Sequence, residues 1–260
     1  MTPLRSARQA GIRRRESDAD VFTPADIHIY VVNLKRRPDR RRRVESALPS
    51  KLSVTYTSDW EGPFDGRELD VAALTELGYG LFPWPTPSDN EWWSRPLKLG
   101  ETGCTLSHLA CWRHAVGTGA PLAAILEDDA VVRRDFAMQL LDSLHQLDSL
   151  TWDLLYLGRY PLQPDRPVRP GLVVPGYSHC TFGYVLTRRA LTTVLAAGLE
   201  RAIIPIDEFL PAMYIDHPRA DVRARYPKRL RALAFEPPLV GQLPKHEAGS
   251  DTEASVFVDQ

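Results

Sequence analysis

The chain has 260 residues, of which 43% are hydrophobic and 25% are charged, the balance of an ordinary folded protein rather than a disordered one. Its 32 basic and 33 acidic residues give a formal net charge of −1, so no global charge directs it to nucleic acid or to an anionic membrane. No apolar stretch approaches the roughly 18 residues that a membrane span requires, which predicts no transmembrane segment.

The N-terminal segment and the cysteines indicate the cellular compartment in which the protein is expected. Residues 1–24 are polar and arginine-rich and contain no hydrophobic run of the signal-peptide type, which predicts a disordered leader. Cys104 and Cys111 fall two turns apart on one predicted helix, about 10 Å, which is too far for a disulfide. Free thiols are typical of a reducing compartment, so we expect a cytoplasmic protein.

The first half of the chain alternates between strand and helix patterns. The predicted elements are a strand over 27–33, a helix over 38–48, a strand over 53–58, a short helix over 70–77, a helix over 100–119 and a strand over 122–126. Residues 79–97 carry several prolines and three tryptophans, which predicts an irregular loop. Trp84, Trp92 and Trp93 either stack on a sugar or pack the loop itself.

The second half continues the alternation. We predict a helix after Asp135 that ends near residue 147, strands over 152–157 and 177–186, a helix over 188–197, a helix from 207 to 214 and a strand over 230–235. Alternation of this kind predicts an α/β domain over 25–243, with a mostly parallel sheet flanked by helices. The polar residues 244–260 are predicted to form a C-terminal tail that can serve as a lid.

An acidic tripeptide follows the apolar strand over 122–126. Ligands of open α/β sheets bind at the carboxyl ends of strands, and Glu127, Asp128 and Asp129 stand at such an end. In an extended segment the first and third side chains share a face and the second does not. Glu127 and Asp129 are therefore predicted to hold a hard cation such as Mn²⁺ or Mg²⁺. The alternative is a solvated loop that caps the next helix.

A run of arginines follows the first strand. The loop and helix start contain Arg36, Arg37, Arg40, Arg41, Arg42 and Arg43. Most of them have the spacing of a solvated helix face, whereas those nearest the strand end could bind a nucleotide phosphate through bidentate hydrogen bonds. A nucleic-acid-binding module is the competing interpretation, and acidic neighbours such as Asp39 and Glu45 weigh against it.

A second acidic pair, Asp207 and Glu208, opens a predicted helix after an apolar stretch. One interpretation is helix capping, and the other is a general base that takes a proton from an acceptor hydroxyl. A helix N-terminus lowers the pKa of a carboxyl group, so we expect Asp207 to be ionised at neutral pH. His108 has the position of a core histidine, and His246 is either a surface residue or an extra metal ligand.

Seven sequence strings, in order, resemble glycosyltransferase family 25. They are VVNLKRRPDRR at 31–41, LKLGETGCTLSHLACWR at 97–113, LAAILEDDA at 122–130, WDLLYLGR at 152–159, GYSHCTFGYVLTRRA at 176–190, IPIDEFLPAMY at 204–214 and SDTEASVF at 250–257. The family includes bacterial lipooligosaccharide galactosyltransferases and the catalytic domain of procollagen galactosyltransferases. The resemblance implies a GT-A-type, Rossmann-like nucleotide-sugar-binding fold, a UDP-sugar donor, Mn²⁺, and inversion at the anomeric carbon.

The resemblance also implies roles for individual residues on the donor side. Asn33, Arg36 and Arg37 match a segment that lies near the nucleotide. Three further residues match a segment that lines the donor pocket, namely Lys98, Glu101 and His108. Asp128 is assigned to the nucleotide as the middle residue of the acidic motif.

The remaining roles concern the metal ion and the chemistry. The ExD formed by Glu127 and Asp129 matches the metal motif of the family, and His246 aligns loosely with a histidine that precedes the tail. Asp207 and Glu208 match the P-DEFLP motif, which favours catalysis over capping, with Asp207 as the base.

The sequence thus predicts a UDP-sugar-dependent hexosyltransferase of the kind that serves lipopolysaccharide biosynthesis. Galactose is the favoured choice for the transferred hexose. The acceptor is a hydroxyl group of a glycan, a peptide or a small molecule, and no nucleic-acid partner is expected. The alternative from a different class is a non-catalytic sugar-nucleotide binder, against which retention of both acidic motifs weighs.

Overall fold

The computed structural model describes residues 22–147 and 149–258, so most of the predicted leader over 1–24 lies outside the described residues. The strands are β1 (Ile27–Val32), β2 (Ser53–Tyr56), β3 (Leu122–Glu127), β4 (Ala130–Val132), β5 (Leu154–Pro161), β6 (Arg166–Arg169), β7 (Leu172–Val174), β8 (Ser178–Thr187), β9 (Ala232–Phe235) and β10 (Val240–Gln242). The α-helices are α1 (Pro38–Ala47), α2 (Val71–Glu76), α3 (Glu91–Ser94), α4 (Leu99–Thr118), α5 (Phe136–His145), α6 (Arg188–Ala196), α7 (Ile206–Tyr214), α8 (Ala220–Arg225) and α9 (Lys245–Ala248). Within these ranges, no helix is long and apolar enough to cross a membrane.

Eight strands form one mixed sheet in the order β2-β1-β3-β8-β5-β9-β7-β6. Within the described residues, three neighbouring pairs are parallel and four are antiparallel. The predicted α/β class is confirmed, but the prediction of a mostly parallel sheet is wrong. The physical reason is that β8 runs against both of its neighbours, β3 and β5, and that β7 runs against β6 and β9.

Helices cover both faces of the sheet because consecutive strand residues point to opposite sides. On one face Tyr30 and Ile125 pack with α4, α6 and α7 in a large apolar cluster. On the other face Ile29 and Leu126 pack with α1 and α5. The central strands are thus buried on both sides, which explains their almost wholly apolar sequences.

The parallel strands β1 and β3 end at the same edge of the sheet, and this edge carries the acidic motif. Residues 128–129 form a turn that leads from β3 into β4. The short strand β4 then pairs with β10, which arrives from more than 100 positions later in the chain.

The C-terminal segment returns over the start of α4. The amide of Leu99 donates to the carbonyl of Val256 at 3.0 Å, and the amide of Val258 donates to the carbonyl of Leu97 at 2.7 Å. A Cβ at Gly100 would lie 2.6 Å from Ser255 Oγ and 2.8 Å from the Thr252 Cα, so this close approach requires glycine. Residues 249–258 therefore pack against the domain, and a lid role for them stays a prediction.

Candidate active site

A cavity of about 500 Å³ opens at the carboxyl ends of β1 and β3. Its wall combines the turn after β3, the start of α7, the start of β8 and the segment 249–253. A larger concavity of about 780 Å³ lies at the opposite end of β1, but His28 and Lys51 are the ionisable side chains that it gathers among the described residues. The smaller cavity contains the converging carboxylates and is the candidate site.

The acidic motif divides as its alternation predicts. Glu127 and Asp129 line the cavity, while Asp128 is buried behind it. Asp128 accepts hydrogen bonds from Asn33 Nδ2 at 2.8 Å and from Arg40 Nη1 at 2.7 Å. Asp128 therefore anchors α1 and the end of β1 to the turn and leaves the other two carboxylates to face the cavity.

The two cavity-facing carboxylates are poorly compensated. Burial raises the pKa of Glu127 to about 7, and burial together with the neighbouring Glu127 raises the pKa of Asp129 to about 7. Asp129 Oδ2 accepts from Gln242 Nε2 at 3.0 Å, but its buried Oδ1 has no hydrogen-bond partner. Such a pair binds either protons or a cation.

Asp207 enters the same cavity from the first turn of α7, which follows the buried residues Ile203 and Ile204. Burial and the nearby Glu127 raise the pKa of Asp207 to about 6. The expectation that the helix N-terminus lowers this pKa is therefore wrong, because desolvation and like-charge repulsion outweigh the helix dipole.

One hydroxyl group joins the two acidic motifs. Thr181 Oγ1 on β8 lies 2.6 Å from Glu127 Oε1 and 3.0 Å from Asp207 Oδ1. A hydroxyl has one hydrogen to donate, so it can satisfy only one of two ionised carboxylates at a time. The second contact is favourable only when a proton resides on one of the carboxyl groups, which agrees with their raised pKa values.

Glu208, the neighbour of Asp207, has the opposite environment. It is 3% exposed and accepts from Trp93 Nε1 at 3.0 Å, Tyr177 OH at 2.6 Å and His217 Nε2 at 2.7 Å. Burial alone would raise the pKa of Glu208, but hydrogen bonds from His179 and His217 reverse that effect and lower it. Its oxygens are thus saturated by donors, which is typical of a carboxylate that holds other groups in position.

An arginine rim, defined here as Arg36, Arg37 and Arg40, surrounds Asp251, and both Arg40 and Asp251 line the cavity. Arg37 Nη1 donates to Asp251 Oδ2 at 2.6 Å, and Arg36 donates to the other oxygen of the same carboxylate. Arg40 Nη1 lies 3.7 Å from Asp251 Oδ2. Asp251 is therefore an anion held by the three guanidinium groups.

The chain is similar in sequence to known glycosyltransferases. A profile of glycosyltransferase family 25, described as an LPS biosynthesis protein, matches residues 84–163. Procollagen galactosyltransferase 1-B of Xenopus laevis is 36% identical over 244 residues, which cover 89% of this chain and 39% of that protein. Procollagen galactosyltransferase 2 of Homo sapiens is 33% identical over 246 residues, 89% of this chain and 38% of that protein. The chain belongs to glycosyltransferase family 25.

Other matches limit what membership of family 25 implies. The chain spans about 39% of the length of the Xenopus relative. Inactive glycosyltransferase 25 family member 3 of Homo sapiens is also 35% identical over 239 residues, 87% of this chain and 39% of that protein. A solved structure of A197 from STIV aligns over 82% of both chains at 9% identity and a TM-score of 0.34, too low to bear on the fold.

The family 25 segment at the start of α4 has mainly structural contacts. Glu101 lines the cavity but is paired with Arg95 and accepts from the backbone amide of Lys98 at 2.8 Å. The Lys98 ammonium group donates to the backbone carbonyl of Glu253 and lies 5.1 Å from the ring centroid of Phe257. These contacts tie α4 to the C-terminal segment, and a donor-binding role for either residue stays a prediction.

The two predicted site histidines lie in different environments. His108 is fully buried on α4, and its Nε2 lies 3.5 Å from Glu127 Oε1. His246 on α9 does not line the cavity, its side chain is 81% exposed and its described contact is Glu247 at 3.6 Å. The structure therefore does not bring His246 to Glu127 and Asp129.

The three tryptophans separate into different roles. Trp84 also stands in the cavity wall but is 1% exposed, with its Nε1 donating to the carbonyl of Trp92 at 2.9 Å. Trp92 is 45% exposed and lines the cavity, so its ring can meet a ligand. Trp93 supports Glu208. The loop over 79–97 thus combines packing at one tryptophan with an exposed aromatic face at another.

Several cavity residues were not predicted from the sequence, namely Cys104, Tyr160, Leu162, His179, Cys180, Gln242 and Asp251. Thr181, which links the two acidic motifs, was also missed. Local signals for them are weak because each stands alone in its segment. The quoted family 25 strings around 179 and 251 were the available indication, although they assigned these residues no role.

The donor set at Glu127 and Asp129 fits a hard divalent cation. Both residues offer carboxylate oxygens, both line the cavity and Asp129 Oδ1 is buried without a partner. A cation would remove the repulsion that raises their pKa values. Cation binding by these two residues is thus chemically reasonable in this family 25 chain.

Proposed function

We propose that this chain is an inverting glycosyltransferase that moves a hexose from a UDP-sugar to a hydroxyl acceptor with the help of a divalent cation. Galactose is the hexose that we propose first. The names of the procollagen galactosyltransferase relatives support the galactosyl group. The observation that carries the proposal is the convergence of Glu127, Asp129 and Asp207 in one cavity, with raised pKa values and little local compensation.

On the donor side, Glu127 and Asp129 would hold Mn²⁺ or Mg²⁺. When bound, the cation supplies Lewis-acid stabilisation of the charge on the departing UDP oxygen. The arginine rim lies close enough to Asp251 to hold a carboxylate, and a phosphate group accepts the same guanidinium hydrogen bonds. We therefore assign the UDP phosphates to the rim, where they would take the place of the Asp251 carboxylate.

On the acceptor side, Asp207 would act as the general base. The acceptor oxygen forms a bond to the anomeric carbon as the bond from that carbon to the UDP oxygen breaks, and the acceptor proton moves to Asp207. A pKa of about 6 leaves Asp207 mostly ionised at neutral pH, yet more basic than an exposed aspartate. Thr181 orients Asp207, and Glu208 holds the surrounding histidines and Tyr177 in place.

The acceptor binding surface is proposed to include the exposed side chains at the cavity entrance. Trp92, Tyr160 and Leu162 line the cavity and are 45%, 63% and 45% exposed. Exposed aromatic faces suit sugar rings or extended peptides. A glycan, peptide or small-molecule hydroxyl remains the acceptor class, and a role in lipopolysaccharide biosynthesis is the bacterial version of the proposal. All three cysteines are free, in keeping with the proposed cytoplasmic location.

A non-catalytic sugar-nucleotide binder is the second candidate, because some relatives of similar identity are named inactive. Such a protein would bind UDP-sugar and cation without releasing UDP. The nucleic-acid alternative has less support, because arginines of the 36–43 run are engaged by carboxylates such as Asp65, Asp59 and Asp251.

A donor screen tests the proposal. Purified protein is incubated with UDP-galactose, UDP-glucose or other UDP-hexoses, with and without Mn²⁺, across glycan, peptide and small-molecule acceptors, and UDP release is measured. We expect acceptor-dependent release with UDP-galactose that EDTA abolishes, and product of inverted anomeric configuration by NMR. Calorimetry that detects UDP–Mn²⁺ binding without release from any donor would favour the non-catalytic binder. Absence of both binding and release would refute the proposal.

A further inference from the structure

A second group of potential metal ligands adjoins the carboxylates and includes a thiol. Cys104 and His108 are one turn apart on α4, so they share a face of the helix, and Glu127 lies at the end of the neighbouring strand β3. One ligand atom of each residue lies within 4.8 Å of the others. In the part of the chain that the structure describes, this is the group of three histidine, cysteine or acidic residues whose spacing suits a metal ion.

His108 provides an independent reason to expect a ligand here. Its side chain is fully buried, and its Nε2 atom makes no hydrogen bond. A buried polar atom without a partner destabilises the fold, so its retention calls for a partner that the protein itself does not supply. His108 Nε2 lies 3.5 Å from Glu127 Oε1.

The other ring nitrogen of His108, Nδ1, already has a hydrogen-bond partner. His108 Nδ1 lies 2.8 Å from Tyr184 OH, and that oxygen also accepts from Trp112 Nε1 at 3.0 Å. Metal binding selects the tautomer in which Nδ1 carries the proton and donates to Tyr184, because that tautomer leaves the lone pair of Nε2 facing Glu127. Histidine ligands in metal sites are oriented by this kind of hydrogen bond from the other ring nitrogen.

The cavity supplies an access route and an open side. Cys104 and Glu127 line it, with His108 behind them. A tetrahedral ion with bonds of about 2.0–2.3 Å needs its ligand atoms about 3.3–3.8 Å apart, so a contraction of about 1 Å by rotation of Cys104 and Glu127 suffices. The fourth position would face the cavity, as in sites that keep one position for a water molecule or substrate.

We infer that Cys104, His108 and Glu127 form a binding site for a zinc-class transition metal ion, with one thiolate, one imidazole and one carboxylate ligand. Thiolate and imidazole select zinc or cobalt, whereas Mn²⁺ and Mg²⁺ prefer the oxygens of Glu127 and Asp129. Because Glu127 belongs to both sets, occupancy of one excludes full ligation of the other. Zinc binding itself is independent of the proposed transferase reaction, whereas inhibition of transfer by zinc rests on it.

Cobalt is the probe, because a cobalt–thiolate bond gives a charge-transfer absorption band in the near ultraviolet that oxygen ligands do not give. The metal-free, reduced protein is titrated with Co²⁺, and Zn²⁺ is then added to displace it. We expect a band that saturates at one Co²⁺ per chain, disappears with Zn²⁺ and persists in excess Mg²⁺. Absence of the band in the wild-type protein overturns the inference without any variant.

Substitutions assign the thiol. Cys104→Ser should remove the band and weaken Zn²⁺ binding in calorimetry by at least tenfold. Cys180→Ser is the matched control, since Cys180 lines the same cavity outside the group, and it should keep both signals. Tyr184→Phe should weaken binding by about 10–100-fold through the lost orienting hydrogen bond. A band that survives Cys104→Ser, or that depends on Cys180, overturns the assignment.

Discussion

The two charged regions that border the cavity differ in whether their charges are compensated by nearby opposite charges. At the arginine rim, each charge meets its opposite, since Asp251 and Asp128 are held by guanidinium groups at hydrogen-bond distance. At the carboxylate wall, defined as Glu127, Asp129 and Asp207, like charges converge, and burial raises all three pKa values. The rim is therefore stable by itself, whereas the wall is satisfied only by protons or by a cation. The wall and the rim thus differ in whether their charges are compensated rather than in being charged.

The largest effect is expected from removing Asp129 from the wall. Asp129→Ala should lower turnover by at least about 10³-fold, because Lewis-acid stabilisation contributes several kcal/mol and each 1.4 kcal/mol is tenfold. Acceptor-dependent UDP release at saturating Mn²⁺ is the measurement. Thermal unfolding should stay cooperative, because the substitution removes a source of repulsion. Full activity with unchanged Mn²⁺ dependence would show that the cation is bound elsewhere.

The next largest effect distinguishes the roles of Asp207 and Glu208, the adjacent carboxylates of α7. Asp207→Asn should lower kcat by about 10²-fold or more, the usual scale for loss of a general base, while UDP–Mn²⁺ binding survives in calorimetry. Glu208→Gln should keep more of the turnover but lower the free energy of unfolding by about 2–3 kcal/mol, since hydrogen bonds to a buried charge are lost.

The reverse pattern would reassign the base. If Glu208→Gln is inactive yet folds normally while Asp207→Asn remains active, Glu208 is the base. If both variants remain active, the pair is structural. The kcat of the wild-type protein should also fall as the pH drops through about 6, where Asp207 takes up a proton.

A third effect concerns stability and pH. The wall carboxyls have pKa values of about 6 to 7, above their ordinary values, so between about pH 4 and pH 7 the folded state binds more protons than the unfolded state. Their contribution to the free energy of unfolding therefore falls as pH rises through this range. Mn²⁺ at about 100 times its Kd should raise the Tm by roughly 5–10 °C near pH 7.5.

The same shift should nearly vanish near pH 5, where the wall is protonated, and it should be absent in Asp129→Ala at either pH. Differential scanning calorimetry of metal-free protein measures all of these values. An Mn²⁺-induced rise in Tm that is equal at both pH values would mean that the wall does not bind the ion.

The smallest effect is expected at the rim. Asp251→Asn removes the carboxylate that the arginines hold, so UDP should bind a few-fold more tightly and with a steeper dependence on salt. Asp39→Asn is the matched control, because Asp39 also pairs with Arg37 but on the surface. Calorimetric titration with UDP compares the variants. Weaker binding in Asp251→Asn would mean that Asp251 helps to shape the phosphate site rather than competing for it.

Features of the fold that depend on local pattern were predictable. The apolar strands, the helix start at Pro38 and the alternation that places Glu127 and Asp129 on one face all follow from the near neighbours of each residue. The direction of β8 was missed, although the sequence contained a clue to it. A parallel partner for β5 needs a crossover of a dozen or more residues, usually a helix, and the segment between β5 and β8 forms the two short strands β6 and β7 instead.

Features that depend on distant partners were not predictable from the sequence. The pKa of Asp207 is raised by burial and by Glu127, which lies 80 positions earlier, and the helix position alone gave the wrong direction. Neither the saturation of Glu208 by Tyr177 and His217 nor the hold of the arginines on Asp251 leaves a local signature. Spacing along the chain indicated which residues are candidates for the site, whereas their protonation states depend on neighbours in three dimensions.

The pairing of β4 with β10 has a consequence for how the protein is made. Asp129 receives a hydrogen bond from Gln242, and its carbonyl accepts from the amide of Leu243 at 2.9 Å. A nascent chain that has already formed β1 and β3 cannot complete the hydrogen bonds of Asp129 until residue 243 has left the ribosome. Contacts between residues this distant in sequence form late in folding, because the entropy of closing a long loop is lost before the favourable contacts are made. Pulsed hydrogen exchange during refolding should therefore detect protection of Leu243 after that of Ile125, which means that the carboxylate wall is completed late in folding.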